Sequence, residues 1–400
     1  MESDHGCIRA SFREQCGGNF ICGHASLPNL MKRLAIVTTH PIQYNAPLFR
    51  LVALNPEVEL LVFYTRNRGA VEHDKEFGQA VVWDIPLTEG YAHQTIDATN
   101  QKGKSALIQS IESWQPDALL VYGWNFAGHF SVMRHFYGTV PIWFRGDSHL
   151  LDPQPQWKRW VRKAWLTYVY RHVDHVFPVG SANADYYRWA GLEEEQMTTA
   201  PHAIENLRFN QKSTPAERAL WRSNLGIEDD RPLVLFAGKL TPKKGPLHLL
   251  NAWKKIQQET HLLFVGSGEL EGVLREEAKT TPNVHFAGFL NQSQMPLAYR
   301  FADIFCMPSK GPHETWGLAI NEALASGTPC IVSDRAGCAV DLANSPWVTA
   351  CSPSDTSSWT RELEKQLQIA TRDETWRNEF LKRHSLESFA NLISQRLLNA

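Results

Sequence analysis

Two stretches of this sequence combine residue types and spacings that could do chemistry. The first is Gly238-Lys239-Leu-Thr-Pro-Lys243-Lys244-Gly245, directly after the apolar run Leu233–Phe236. A strand, a glycine-containing loop with lysines and then a helix make an anion site. Helix-start N–H groups and the helix dipole favour phosphate, and lysine adds a mobile point charge. A solvated surface turn would use the same residue types, and the GxxxxGK[ST] spacing of a P-loop is absent. The second stretch reads Pro308-Ser309-Lys-Gly-Pro-His313-Glu314-Thr-Trp-Gly317-Leu318-Ala-Ile-Asn-Glu322-Ala-Leu-Ala-Ser-Gly327-Thr-Pro329. Its glycines predict a helix opened at Gly317 and closed at Gly327, with the N–H groups of Gly317 and Leu318 facing whatever fills the crevice. Glu314 precedes that helix and Glu322 lies more than a turn inside it. Carboxylates there suit a hydroxyl-rich ligand, although Glu322 alone would also pass for an exposed helical glutamate. Their helical separation corresponds to about 12 Å of rise, against about 5–9.5 Å for the carboxyl pair of a glycosidase. The spacing therefore predicts two separate contacts, not an acid–base pair.

Positioning these loops requires strands that end beside one another. From Met31 the chain alternates apolar runs (Leu34–Val37, Glu59–Tyr64, Ala118–Tyr122, Pro141–Phe144 and His175–Val179) with helical patterns, the first a helix capped by Asn45. A second alternation follows a polar, poorly periodic stretch, Asn206–Asp230. Its strands are Leu233–Phe236, His261–Val265, Val284–Phe286, Asp303–Cys306 and Cys330–Val332, and two helical patterns fill Ser357–Ala400. Strand–helix alternation predicts mostly parallel sheets covered on both faces, and two such units in series place a ligand crevice between them. The expected division is 31–205 for an N-terminal acceptor-binding domain, 206–375 for a nucleotide-binding domain and 376–400 for C-terminal helices. The linker is placed at Ala200–Thr214. Residues 1–30 have neither an apolar h-region nor helical periodicity and read as a disordered extension or a mis-called start.

Taken together, the ordered motifs resemble those of the family 4 retaining glycosyltransferases of the GT-B fold. The Glu-x7-Glu arrangement at Glu314 and Glu322 carries the resemblance, with Pro308-Ser309 before it and Gly327-Thr-Pro329 after it. Leu263-Phe-Val-Gly266-Ser-Gly268-Glu269 and Phe286-Ala-Gly288-Phe289-Leu290 match as well, while Lys239 stands where the family usually has arginine. The resemblance implies two facing Rossmann-like domains and a C-terminal helix returning toward the N-terminal one. It also implies a UDP- or GDP-sugar donor as substrate, no separate cofactor, and a glycan or lipid-linked sugar as acceptor. Lys239 and Lys244, with Gly238, Gly317 and Leu318, would hold the diphosphate. Glu322 would bind the ribose, Glu314 would orient the donor sugar, and backbone near Phe289 and Leu290 would line the base. The family often has a histidine or aspartate touching the donor sugar after a strand of the N-terminal half. Asp147, in Arg145-Gly-Asp147-Ser148-His149, is the candidate, with Arg145 and His149 as alternatives. The loop Thr38–Asn45 ends another such strand and reads as an acceptor contact or a structural turn.

Composition narrows the alternatives. The chain has 400 residues, 43% hydrophobic and 20% charged, with a formal net charge of −2; nucleic acid is not an expected partner. No run approaches the roughly 20 apolar residues that span a bilayer. The cysteines number seven without zinc-like spacing, which predicts free thiols in a reducing cytoplasm, and three of them in residues 1–30 form only a weak metal pattern. No DxD motif occurs, so no bound metal is expected. A nicotinamide-dependent oxidoreductase would need a GxGxxG after a strand, and the loop at His40–Asn45 has no glycine. A nucleotide-sugar-binding protein without turnover is the remaining alternative. Trp157–Arg171 is amphipathic: Trp157, Trp160, Val161, Ala164, Trp165 and Tyr168 share one side, and Lys158, Arg159, Arg162 and Lys163 the other. Such a helix either packs its apolar stripe on the sheet or lies on the inner face of a membrane.

Overall fold

The computed structural model describes residues 31–67, 72–74, 79–312 and 314–400. The expectations for residues 1–30, with Cys7, Cys16 and Cys22, lie outside the described residues. The N-terminal half supplies β1 (Lys32–Thr38), β2 (Val58–Tyr64), the small antiparallel pair β3 (Glu72–Asp74) and β4 (Gln79–Val81), β5 (Ala92–Thr95), β6 (Ala118–Tyr122), β7 (Ile142–Arg145) and β8 (His175–Val176). Six of these form one parallel sheet in the order β5-β2-β1-β6-β7-β8. The C-terminal half supplies β9 (Leu233–Ala237), β10 (His261–Val265), β11 (Val284–Gly288), β12 (Ile304–Met307), β13 (Cys330–Ser333) and β14 (Val348–Cys351). They form a second parallel sheet in the order β11-β10-β9-β12-β13-β14. This is the GT-B architecture.

Alternation along the central strands builds both faces of each sheet. In β1, Ala35 and Val37 join the core under the helices Gln101–Trp114 and Ala127–Phe136. Leu34 and Ile36 instead meet the helix Ala46–Ala53 and, from the far end of the chain, Phe389, Ala390, Ile393 and Leu397 of the helix Leu386–Leu398. The last helix thus covers the N-terminal sheet, as the resemblance implied. In β9, Leu233 and Leu235 face one core and Val234 and Phe236 the other. Cys306, Cys330, Cys338 and Cys351 are free and buried, and burial raises their thiol pKa values.

Several local expectations are corrected. Asn45 sits at the N-cap of Ala46–Ala53 but makes no side-chain cap bond. The stretch Asn206–Asp230 is not irregular: it contains the helices Asn206–Phe209 and Pro215–Ser223, the second opened by a reciprocal capping box between Thr214 and Glu217. The C-terminal region holds three helices, Thr356–Leu367, Glu374–Arg383 and Leu386–Leu398, instead of two. Two edge strands, β5 and β14, carry no prior expectation.

The sheet orders explain where the chemistry collects. In each sheet the strand order reverses beside the first strand, between β1 and β6 and between β9 and β12. Loops leaving those strands at their carboxyl ends diverge and leave a crevice.

Candidate active site

The loops after β9 and β12 meet at that reversal. Lys310 N donates to Lys243 O at 2.8 Å, and a Cβ on Gly245 would lie 2.4 Å from Pro308 O, so only glycine allows this approach. Gly317 opens the helix Leu318–Ala325 at φ +100°, where a side chain would meet Met307 Cε at 2.4 Å. No side chain caps this helix start, as an anion-binding end requires.

Glu314 is buried, and its Oε2 accepts from Lys244 Nζ at 2.5 Å and from Ser309 Oγ at 2.5 Å. Its carbonyl accepts from His149 Nε2 at 3.1 Å. His149 Nδ1 in turn accepts from Leu151 N at 3.2 Å, so Nε2 carries the proton. Asp147 Oδ2 accepts from Thr315 Oγ1 at 2.7 Å. Asp147 and His149 therefore both reach the Glu314–Thr315 segment from the N-terminal half. Arg145 is committed elsewhere: it donates to Phe177 O and Ala200 O at 3.1 and 2.9 Å and stacks over Phe389 at 4.0 Å.

A second cluster surrounds Glu322. Its oxygens accept from Tyr44 at 3.0 Å and Tyr299 at 2.8 Å. Burial raises its pKa above the ordinary carboxylate value, opposed by both tyrosine hydroxyls and by the charge of Arg208. Glu322 lines a cavity of about 310 Å³ together with Gly238, Lys239, Phe289 and Leu290. Of the expected site residues, these five share one cavity, while Lys244, Glu314 and Asp147 form the neighbouring cluster. The exposed-glutamate reading of Glu322 is overturned by its burial among tyrosines.

Residues 217–379 match the profile of the family described as glycosyl transferases group 1. This stretch of the C-terminal half is thus similar to the group 1 glycosyl transferases. Over 174 residues the chain is 29% identical to an uncharacterized glycosyltransferase of Methanocaldococcus jannaschii, covering 42% of this chain and 44% of that one. Over 146 residues it is 34% identical to the Corynebacterium glutamicum GDP-mannose-dependent monoacylated alpha-(1-6)-phosphatidylinositol monomannoside mannosyltransferase, covering 34% and 38%. The chain thus matches under half the length of these curated relatives. Anabaena HepE, solved in complex with UDP and glucose, superposes with a TM-score of 0.67 over 92% of this chain and all of that one, at 14% identity.

The N-terminal half completes the cavity around Glu322, and here sequence reasoning missed most. Gln43 and Tyr44 of the Thr38–Asn45 loop line it, and so does Trp83, whose ring centroid lies 6.3 Å from that of Phe289. Trp83 is held by its neighbours: Asn291 Nδ2 donates to Val82 O at 2.7 Å, and Ser293 N donates to the Asp84 carboxylate at 3.2 Å. Gln292 also lines the cavity. It is 5% exposed, and its Oε1 has no hydrogen-bond partner, which costs free energy unless a ligand supplies a donor.

Proposed function

We propose that the chain transfers a sugar from a nucleoside-diphosphate sugar to a hydroxyl of a glycan or lipid-linked acceptor. Configuration at the anomeric carbon is retained, and no bound metal takes part. The observation that carries this reading is the pairing of two differently furnished pockets at one strand-order reversal. One is aromatic and uncharged apart from Glu322 and Lys239, and the other is the Lys244–Glu314–Ser309 cluster. The base lies against the wall formed by Trp83 and Phe289–Leu290 with its edge toward Gln292, and the ribose hydroxyls reach Glu322. The diphosphate meets Lys239, Lys244 and the helix start at Gly317–Leu318.

On this reading Lys244 exchanges part of its contact with Glu314 for phosphate when donor enters, and Glu314 turns its free oxygen to the donor sugar. The anomeric carbon–oxygen bond breaks toward the diphosphate, whose growing charge is met by preorganised lysines and N–H groups. The acceptor oxygen attacks on the face the phosphate leaves, and its proton passes to that phosphate. Asp147 and His149 steady the Glu314–Thr315 segment from across the crevice. Residues 31–205 serve the acceptor and 206–375 the donor, and the four buried thiols fit a cytoplasmic setting. A thermal-shift panel with UDP, GDP, ADP, TDP and CMP tests the donor site, because a ligand bound only by the folded state raises the melting temperature. One diphosphate should shift wild type and fail on Lys244→Ala. Absence of a shift at millimolar concentrations of every nucleotide would overturn the reading. Product formation from the matching donor then separates the transferase from a binding protein without turnover.

A further inference from the structure

The helix Gln156–Tyr170 is turned the opposite way from a core-forming helix. Trp157, Trp160 and Val161 are 66%, 70% and 64% exposed, and Trp165 and Tyr168 also face solvent. The residues it buries, Leu166, Val169 and Tyr170, lie on the other side. Half-buried Arg162 goes with them, its guanidinium 5.4 Å over the Tyr186 ring and donating to the Tyr186 hydroxyl at 3.2 Å. The apolar stripe expected from spacing is present, but it does not pack on the sheet. Beside it stand exposed Lys158, whose ammonium lies 5.5 Å over the Trp157 ring, and Arg171, which sits over Tyr168 at 5.1 Å. No acidic residue occurs from Gln156 to Arg171.

Exposed indoles flanked by cations, with no carboxylate on the helix, match the boundary of an anionic bilayer. Indole rings favour the headgroup level, and lysine and arginine gain from negative lipid phosphates. We propose that this face docks the protein on an anionic membrane surface. The site lies within reach of that surface. A groove of about 410 Å³ runs from Lys158 and Arg162 past His149 to Thr315, beside Glu314. An acceptor held in the bilayer by a lipid tail would enter there with its sugar first. That last step rests on the transfer reading; the docking does not.

Flotation of the full chain with vesicles tests the docking. Wild type should rise with vesicles of phosphatidylcholine mixed with phosphatidylglycerol, not with phosphatidylcholine alone, and added salt should weaken the effect. Trp157→Ser/Trp160→Ser should bind about tenfold more weakly. Arg171→Gln should bind about fivefold more weakly. Melting temperatures and nucleotide-induced shifts, read on the same samples, should stay at wild-type values. Wild type that ignores both vesicles at low salt, or a tryptophan variant that floats equally well, overturns the proposal. So does a wild-type dimer by light scattering that the tryptophan variant breaks, since the face would then cover a second copy. A nucleotide shift that persists without flotation leaves the transfer reading standing.

Discussion

Glu322 is a carboxylate kept in place against the cost of its own burial, with Tyr44 and Tyr299 supplying the donors that offset it. Replacing it by glutamine removes that desolvation cost while keeping an acceptor. Glu322→Gln should melt at or above the wild-type temperature yet lose the nucleotide-induced shift, a separation that scanning calorimetry with and without nucleotide would read. Lys244 behaves differently. Lys244→Ala leaves Glu314 buried with only Ser309 beside it. The cost should be about 1–2 kcal/mol, discounted from the 3–5 of a fully buried pair because Lys244 is partly exposed; urea unfolding measures it. Gln292→Leu should raise the melting temperature, since an unpaired buried oxygen disappears, and should even out the response to different bases. Trp83→Ala should weaken every nucleotide alike.

At the scale of elements, the helix Leu318–Ala325 depends on the backbone of Gly317. Gly317→Ala places a Cβ in a left-handed conformation and against Met307. The conformation alone should cost about 1–2 kcal/mol, and the N–H groups proposed to meet the diphosphate would shift with it; a lower melting temperature without a nucleotide response would show both. The central strands were legible because parallel strands buried on both faces are continuous apolar runs. Two of the four edge strands were not: β5 is mostly polar and exposed along its length, and in β14 half-buried Thr349 and Ala350 interrupt the apolar run. The helix Pro215–Ser223 had a readable signal, threonine at 214 and glutamate at 217, in an otherwise polar stretch. Lysine and carboxylate loops were readable because their spacing lies within one segment. Trp83, Gln292, Tyr299 and Arg208 were not, because only the fold makes them neighbours of Glu322. For Trp157–Arg171, spacing revealed an amphipathic helix but not which side would face inward.

For the whole molecule, the halves are joined by two chain crossings lying side by side. Ile204 bridges Ser385, and His384 Nδ1 donates to His202 O at 3.1 Å. Closure of the crevice about Ala200–Thr214 on donor binding should appear as a smaller radius of gyration in solution scattering; identical curves would count against it. Acid should loosen the whole fold. Burial lowers His129 and His384 from 6.5 to about 4. Between those values the unfolded chain binds more protons than the folded one, so stability is full above about pH 6.5 and falls toward pH 4. The slope is about 1.4 kcal/mol per pH unit for each group. Melting temperatures across that window check the sign, and His129→Gln should flatten the slope.

The helix Leu386–Leu398 covers Leu34 and Ile36 at the opposite end of the chain. During synthesis β1 leaves the ribosome early, but the helix that seals one face of its sheet is made after both sheets. The N-terminal half must therefore wait with an apolar face open while some 180 residues of the second sheet and its helices are added. A nonsense change near Ser385 would cost the half that was translated first.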